Sequence, residues 1–216
     1  MNKKTLLLFD LDGTITDSAP GITKSAAYAL EKYGIQVKDP ASLTFFVGPP
    51  LEYTFETRYR FSKKKALEAV SYFREYYRRS GWNDCSLYPD TKSTLENLKK
   101  RGYRIALASS KNEPMCVQIL SHFGLISLFD GVYGAEADGP RRDKPAVLSY
   151  ALDSNPNIPR EEAILIGDTE FDARGAAEVG IDCLGVSYGC GDPEAMKRIG
   201  VVGMAGSMKR VEAFFP

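Results

Sequence analysis

The stretch TLLLFDLDGT, residues 5–14, decides the fold. Its first five residues form a continuous, largely apolar run, which is typical of a strand buried on both faces of a parallel sheet. The run stops abruptly at Asp10, and Gly13 lets the chain turn sharply and approach a ligand closely. The stretch therefore predicts a buried strand that delivers two carboxylates, those of Asp10 and Asp12, to one edge of a sheet.

The same apolar pattern recurs along the chain and alternates with helical patterns. Further strands are predicted at residues 103–109, 131–134, 163–167 and 183–186. Helices are predicted between and after them, with proline in a first turn or glycine just past the end, at 90–101, 114–123, 146–152 and 172–179. This alternation predicts an α/β fold, a Rossmann-like parallel sheet with helices on both faces.

Residues 16–85 interrupt the alternation. Apolar side chains there recur at helical spacing, and the segment holds 13 of the 24 aromatic residues, with 11 Lys and Arg against 8 Asp and Glu. The sequence predicts a small α-helical insertion at 16–85, placed after the first strand of a core made of residues 1–15 and 86–216.

Composition excludes several kinds of chemistry. The 216 residues carry 28 Lys and Arg against 28 Asp and Glu, four cysteines and one histidine, His122. Zinc sites that need two or three imidazoles are excluded, and a Ser-His-Asp triad would have to use His122. Net neutrality argues against a nucleic acid polymer as partner. The apolar segment before Asp10 is too short for a signal sequence, and no window suits a membrane span, so we expect a cytoplasmic protein.

Polar residues follow three of the predicted strands, where open α/β sheets bind their ligands. Besides Asp10 and Asp12, these residues are Ser109 and Ser110 with Lys111 and Asn112, and the pair Asp168 and Asp172; Lys144 begins a predicted helix. Several carboxylates without a nearby histidine indicate a hard-cation site, and Mg²⁺ fits it best. An aspartate can act as a nucleophile toward phosphate, while a second aspartate transfers protons.

Four ordered motifs resemble those of the haloacid dehalogenase-like hydrolase superfamily: Asp10-Leu11-Asp12-Gly13-Thr14, Ser109, Lys144, and Gly167-Asp168-x-x-x-Asp172. The chain is most similar to the phosphoglycolate phosphatase-like members, and the insertion resembles their helical cap. Dehalogenases of this superfamily lack the second aspartate, so the presence of Asp12 favours phosphate chemistry.

The resemblance implies a role for each matching residue. Asp10 would be the nucleophile and a metal ligand; Asp12 would be the general acid and base, its backbone carbonyl facing the metal. Ser109 and Lys144 would bind phosphate, while Asp168 would ligate Mg²⁺ and Asp172 would support the metal site. We also expect Gly13 and Ser110 to line the substrate.

The implied function is a Mg²⁺-dependent phosphatase that hydrolyses a small phosphorylated metabolite through an aspartyl-phosphate, as a monomer or dimer. The alternatives are a 5'-nucleotidase or a pyrophosphatase. Mutases resembling β-phosphoglucomutase typically place a basic residue in the part of the cap that corresponds to residues 42–54, to hold the second phosphate of the sugar. Because residues 42–54 hold no cation, such an enzyme is disfavoured. A non-enzymatic phospho-receiver module fits least, since receivers are shorter and uncapped. The pair Arg141 and Arg142 is interpreted either as a phosphate-binding aid or as a solvent-exposed loop.

Overall fold

The computed structural model describes residues 3–136 and 139–216. The chain divides into two compact units. The larger unit comprises Met1–Thr16 and Leu87–Pro216, and the smaller unit is the continuous segment Asp17–Ser86.

The larger unit is built on a six-stranded sheet. Eight strands occur in the described residues, and six of them form this sheet. In chain order the eight are β1 (Leu6–Phe9), β2 (Thr16–Asp17), β3 (Ser86–Leu87), β4 (Arg104–Asn112), β5 (Gly131–Ala135), β6 (Ala163–Gly167), β7 (Asp182–Val186) and β8 (Gly203–Ala205). The sheet has the order β5-β4-β1-β6-β7-β8, and every pairing in it is parallel. Strands β2 and β3 form a separate two-stranded sheet. The predicted α/β fold with a parallel sheet is confirmed.

Helices follow the strands of the larger unit. They are α4 (Thr91–Lys100), α5 (Glu113–His122), α6 (Lys144–Asp153), α7 (Glu170–Glu178), α8 (Pro193–Ile199) and α9 (Met208–Phe214), after α1 (Ala19–Glu31), α2 (Leu51–Tyr59) and α3 (Lys63–Tyr76) of the smaller unit. The patterns considered in the sequence predict α4 to α7, but not α8, β8 or α9.

Strand β1 is the centre of the sheet. Each of its four side chains, Leu6 to Phe9, is completely buried, as expected for a strand covered on both faces. Phe9 stands in register with Leu107 of β4 on one side and with Ile166 of β6 on the other. The residues that follow these three strands are thereby brought to one edge of the sheet.

The order of the strands places a topological switch point beside β1. From β1 the chain builds outward to β4 and β5, then crosses to β6 and builds in the opposite direction to β7 and β8. In open α/β sheets, ligands bind outside the carboxyl ends of the strands at such a point. Asp10 and Asp168 follow the two strands that flank it.

The smaller unit consists of helices around an aromatic core. A 3₁₀ segment, Pro40–Phe46, lies between α1 and α2, and α3 continues into a π-helical turn, Tyr77–Gly81. Phe46 and Phe55 are buried with ring centroids 4.9 Å apart, and Phe61 stacks on Phe55 at 5.9 Å. Several of the aromatic residues concentrated in this segment therefore form the core of the smaller unit.

Candidate active site

The end of β1 supplies the first two carboxylates. The Asp10 amide donates to the carbonyl of Ile166 at 2.9 Å, which extends the β1–β6 pairing by one residue. Asp10 and Asp12 are both buried. Gly13 follows with a φ of +83°, and a Cβ there would overlap the Asp168 carboxylate. Glycine is therefore required both for the turn and for the close approach of Asp168.

The ammonium group of Lys144 contacts three parts of the fold: the residue after β1, the first turn of α7, and β4. It begins α6, whose N-cap Asp143 accepts a hydrogen bond from the Ala146 amide. The buried Nζ lies 2.8 Å from Oδ1 of Asp10 and 2.8 Å from Oδ1 of Asp172. It also donates to the Ala108 carbonyl of β4 at 3.0 Å.

Asp168 is held by the backbone of a neighbouring loop. Its Oδ2 accepts hydrogen bonds from the amides of Cys190 and Gly191 at 2.9 Å and 3.3 Å. Thr14 donates its hydroxyl to Oδ1 at 3.5 Å. A Cβ on Gly189 would also overlap the Asp168 carboxylate, so the loop after β7 is shaped around it. None of the sequence motifs includes this loop.

Asp172 has two structural tasks. In the first turn of α7, its Oδ2 accepts a hydrogen bond from the Thr169 amide at 3.0 Å, as in a capping box, and another from the Thr169 hydroxyl at 2.7 Å. Its other oxygen faces Lys144. Both carboxylate oxygens are thus engaged, which fixes Asp172 beside Asp10.

Three carboxylates fit a hard divalent cation. Asp10, Asp168 and Asp172 are buried, and each offers an oxygen within 4.8 Å of the others. Oxygen donors of this kind suit Mg²⁺. The side chain of Asp12 does not belong to this group, because its Oδ2 pairs with Lys111 at 2.5 Å. The expected contribution of the Asp12 backbone carbonyl remains a prediction.

Burial, together with repulsion by neighbouring carboxylates, disfavours the ionised forms of Asp10 and Asp168. Burial, followed by the charge of Asp172, raises the pKa of Asp10 to about 6, although Lys144 opposes this rise. Burial and the charges of Asp172 and Asp10 also raise the pKa of Asp168 well above its usual value. Burial lowers the pKa of Lys144, but attraction to Asp10 and Asp172 outweighs it and keeps the ammonium charged. Such a cluster favours a bound cation.

The end of β4 places the remaining predicted residues. Ser109 is buried, and its hydroxyl oxygen accepts a hydrogen bond from the Lys111 amide at 3.3 Å, while Ser110 is partly exposed. Lys111 reaches Asp12. The structure therefore assembles Asp10, Lys144, Asp168 and Asp172 in direct contact or close proximity, with Asp12 joined to β4 through Lys111.

His122 lies outside this cluster. It is an exposed residue in the last turn of α5, and its ring packs edge-on against Phe123 at 5.0 Å. Helix α5 begins where β4 ends, so its nine further residues carry His122 about 13 Å along the helix axis. The imidazole is not a component of the site.

Arg141 is a structural residue of the loop that leads to Lys144. Its Nε donates to the Gly134 carbonyl at 2.7 Å, and its guanidinium pairs with Glu113 at 3.1 Å and lies 3.8 Å from the ring centre of Tyr150. Arg142 is exposed and donates within its own loop, to the Gly139 carbonyl at 2.9 Å. The Arg141 guanidinium, one candidate for phosphate binding, is thus engaged by Glu113 and Gly134.

We expect Arg141→Ala to lower the free energy of unfolding by about 1–2 kcal/mol, because it removes a partly buried hydrogen bond, an ion pair and a cation–π contact. The matched control Arg142→Ala is expected to change it by less than about 0.5 kcal/mol. Urea denaturation of both variants measures the difference. Equal effects of the two substitutions would contradict the role assigned to Arg141.

Comparison with known proteins agrees with this geometry. A parallel sheet with aspartates and a lysine at its switch point is the arrangement expected of an α/β enzyme that acts on phosphate groups. The family model described as haloacid dehalogenase-like hydrolase matches residues 7–186. The chain belongs to the haloacid dehalogenase-like hydrolase family.

Several relatives carry functional names. A 5'-nucleotidase of Pseudomonas aeruginosa is 38% identical over 191 residues, which are 88% of this chain and 86% of that protein. The tyrosine-protein kinase PtkA of Mycobacterium tuberculosis is 40% identical over 186 residues, 86% of this chain but 63% of that protein. A phosphoglycolate phosphatase of Vibrio parahaemolyticus is 28% identical over 192 residues, 85% and 84% of the two chains.

A solved structure shares the whole fold. The crystal structure of a predicted phosphatase from Clostridium acetobutylicum superimposes with a TM-score of 0.95 at 39% identity, covering 99% of this chain and 98% of that chain. Together with the family match, this likeness makes the protein a phosphatase-type hydrolase of the family, with phosphoglycolate phosphatases among its relatives. Within residues 3–136 and 139–216, no helix has the length and apolar character needed to cross a membrane.

Proposed function

We propose that this protein is a Mg²⁺-dependent phosphatase that hydrolyses a small phosphomonoester through a phosphorylated Asp10. One observation carries the proposal: Oδ1 of the buried Asp10 is fixed by Lys144 at 2.8 Å, at the carboxyl edge of β1 and beside Asp168 and Asp172. Lys144 orients the carboxylate and favours its ionised form, which leaves Oδ2 available to attack phosphorus.

The first step transfers the phosphoryl group. A bond forms between Oδ2 of Asp10 and phosphorus while the bond from phosphorus to the ester oxygen breaks. The departing oxygen takes a proton from Asp12, which enters this step as the neutral acid and leaves it as the carboxylate. Lys144 and the Ser109 hydroxyl bind the equatorial oxygens of the phosphoryl group, where charge is redistributed.

The second step restores the enzyme. Asp12, now a carboxylate, accepts a proton from water as the water oxygen attacks phosphorus. The bond between phosphorus and Asp10 then breaks, releasing inorganic phosphate and the free carboxylate. Asp12 thus acts as the acid in the first step and as the base in the second.

Asp10, Asp168 and Asp172 would hold the Mg²⁺ ion. When bound, the ion supplies positive charge that reduces the repulsion between an anionic nucleophile and an anionic phosphate. The four aspartates of the site face only two ammonium groups, those of Lys111 and Lys144, among the contacts described above. This excess of negative charge supports the assignment of a divalent cation.

The relatives suggest which esters to test first. The 38% identity with a 5'-nucleotidase exceeds the 28% identity with a phosphoglycolate phosphatase, which favours nucleoside 5'-monophosphates over phosphoglycolate. We assign the unit Asp17–Ser86 the role of a substrate-selecting cap. Its segment 42–54 holds no cation, and Arg58 of α2 covers the ring of Phe45 at 4.9 Å, so a second phosphate group has no evident basic partner in this segment.

A second candidate activity follows from the 40% identity with PtkA. The first step would be the same, and a tyrosine hydroxyl would replace water as the acceptor of the phosphoryl group from Asp10. Phosphotyrosine measured by mass spectrometry after incubation with a phosphate donor would support transfer, whereas release of inorganic phosphate alone supports hydrolysis.

A substrate panel tests the proposed function. Nucleoside 5'-monophosphates, phosphoglycolate, pyrophosphate and sugar monophosphates are incubated with the protein in Mg²⁺ or in EDTA, and released phosphate is measured. We expect release from at least one monoester in Mg²⁺ and a loss of at least about 100-fold in EDTA. Undiminished release of phosphate in EDTA would contradict the metal assignment. No release from any compound of the panel would contradict the proposed phosphatase activity.

The metal-free protein should become less stable as pH rises from about 4 to about 6. The folded pKa of Asp10, about 6, lies above its ordinary value of 3.8, so in this window the folded state binds more protons than the unfolded chain. The free energy of unfolding therefore falls with increasing pH, by an amount on the order of 1–3 kcal/mol from this group. Excess Mg²⁺ should reduce the slope.

Urea denaturation in EDTA across this pH range measures the effect. The Asp10→Asn variant is the matched control, because it lacks the ionisable group and should show a smaller decrease. Identical pH slopes for the wild-type protein and Asp10→Asn would contradict the raised pKa.

A further inference from the structure

Lys111 makes a partly enclosed ion pair with the proposed general acid. Its Nζ lies 2.5 Å from Oδ2 of Asp12, and the two side chains are only 10% and 12% exposed. Lys111 belongs to β4, where the pairing with β5 shifts register between Ser109 and Asn112. Irregularities of this kind re-aim side chains next to active sites. Here the side chain of Lys111 reaches across to Asp12, in the loop that follows β1.

The two oxygens of the Asp12 carboxylate are in different situations. Oδ2 accepts the hydrogen bond from Lys111, whereas Oδ1 is buried and has no hydrogen-bond partner among the described residues. A buried carboxylate oxygen without a partner is costly, and in a native structure such an atom calls for an explanation. A reacting group that arrives with the substrate would provide the missing partner.

Resting on the proposed function, we infer that Lys111 is a positioning residue for Asp12. Lys111 donates to Oδ2 whether Asp12 is neutral or ionised, and it thereby turns Oδ1 toward the ester oxygen. In the neutral acid Oδ1 carries the proton, delivers it to the leaving group, and later accepts one from water. Lys111 itself forms no bond to the substrate in this role. It acts through the orientation of the aspartate.

Direct phosphate binding by Lys111 is the competing role. Lys144 already supplies a cation next to Asp10, and it is held there by Asp10, Asp172 and the Ala108 carbonyl. The Lys111 ammonium is instead directed at Asp12. The two roles predict different results, because a phosphate-binding cation affects all esters alike, whereas orientation of the acid affects only esters whose leaving group needs a proton.

The test compares two classes of ester with Lys111→Met and Lys111→Arg. The probes are the alkyl monoester hydrolysed best by the wild-type protein and p-nitrophenyl phosphate, whose leaving group departs without a proton. For Lys111→Met, we expect kcat/KM to fall by about 10- to 100-fold on the alkyl ester and by less than about threefold on the aryl ester. Lys111→Arg should recover part of the loss, because it retains a cation for Oδ2.

Lys99→Met is the matched control for losing a lysine ion pair. Lys99 pairs with Asp130 at 2.9 Å, on α4 rather than at the site, so its removal should leave both kcat/KM values within about twofold. An equal loss on the two esters in Lys111→Met would assign Lys111 to phosphate binding and overturn the inference. So would an unchanged kcat/KM on the alkyl ester.

A crystal structure of Lys111→Met provides a readout that does not depend on turnover. We expect the Asp12 carboxylate to rotate or to show two conformers, and an unchanged carboxylate orientation would overturn the inference. If the wild-type protein hydrolyses neither ester, the proposed function fails, and the orientation of Asp12 in this crystal structure still decides whether Lys111 positions it.

Discussion

Replacing Asp10 with asparagine is expected to lower kcat by at least about 10⁴-fold, because the nucleophilic oxygen is lost and no phosphorylated intermediate can form. The structure gives a specific reason to assign the attack to this residue. Asp10 alone combines a position at the end of the central strand, an ion pair with Lys144 and membership of the carboxylate cluster together with Asp168. Steady-state hydrolysis of the best ester in Mg²⁺ measures the loss.

Two further variants make this measurement decisive. Asp10→Ala excludes recovery of activity by deamidation of the asparagine. Asp153→Asn removes an aspartate whose side chain is 75% exposed and should change kcat by less than about twofold. Activity of Asp10→Asn and Asp10→Ala near the wild-type level would show that a different group attacks the phosphorus.

Lys144→Met should reduce both turnover and stability. The substitution leaves the buried carboxylates of Asp10 and Asp172 without their common partner, and breaking a buried pair in this way costs about 3–5 kcal/mol. We expect the full cost in EDTA and a smaller one in Mg²⁺, because a bound cation would offset part of the uncompensated negative charge of the two carboxylates. Turnover should fall by about 10³-fold, since the lysine also orients the nucleophile.

Urea denaturation with EDTA or Mg²⁺, together with the ester assay, measures these effects. Lys197→Met is the control, since Lys197 forms an exposed pair with Glu194 that contributes at most about 0.5 kcal/mol. A Lys144→Met protein as stable in EDTA as Lys197→Met would contradict the view that Lys144 neutralises the cluster.

The sheet could be predicted because its strands carry a simple signal. Strands buried on both faces are nearly continuous in apolar residues, and Ala163–Gly167 has the same bounds in the sequence prediction and in the structure. The C-terminal elements carry a weaker signal. Strand β8 has three residues, and α8 and α9 have seven each, which is too short for periodicity to emerge.

The site was predicted in its components but not in its contacts. The aspartates and Lys144 follow from motif order, whereas the ion pair between Lys111 and Asp12 depends on how β4 bends near its end. The amides of Cys190 and Gly191 are invisible to any side-chain pattern, because backbone groups carry no residue identity. One signal was available: the segment 187–192 is rich in glycine and follows a predicted strand, the position where ligand-binding loops occur.

Trapping the phosphorylated enzyme tests the central claim most directly. The wild-type protein is mixed with its best ester and Mg²⁺, quenched in acid during turnover, digested, and analysed by mass spectrometry. The account predicts the added mass of one phosphoryl group on the peptide that contains Asp10, and no such addition in Asp10→Asn. A phosphoryl group on a different residue, or turnover without any phosphorylated enzyme under quench conditions that preserve acyl-phosphates, would contradict it.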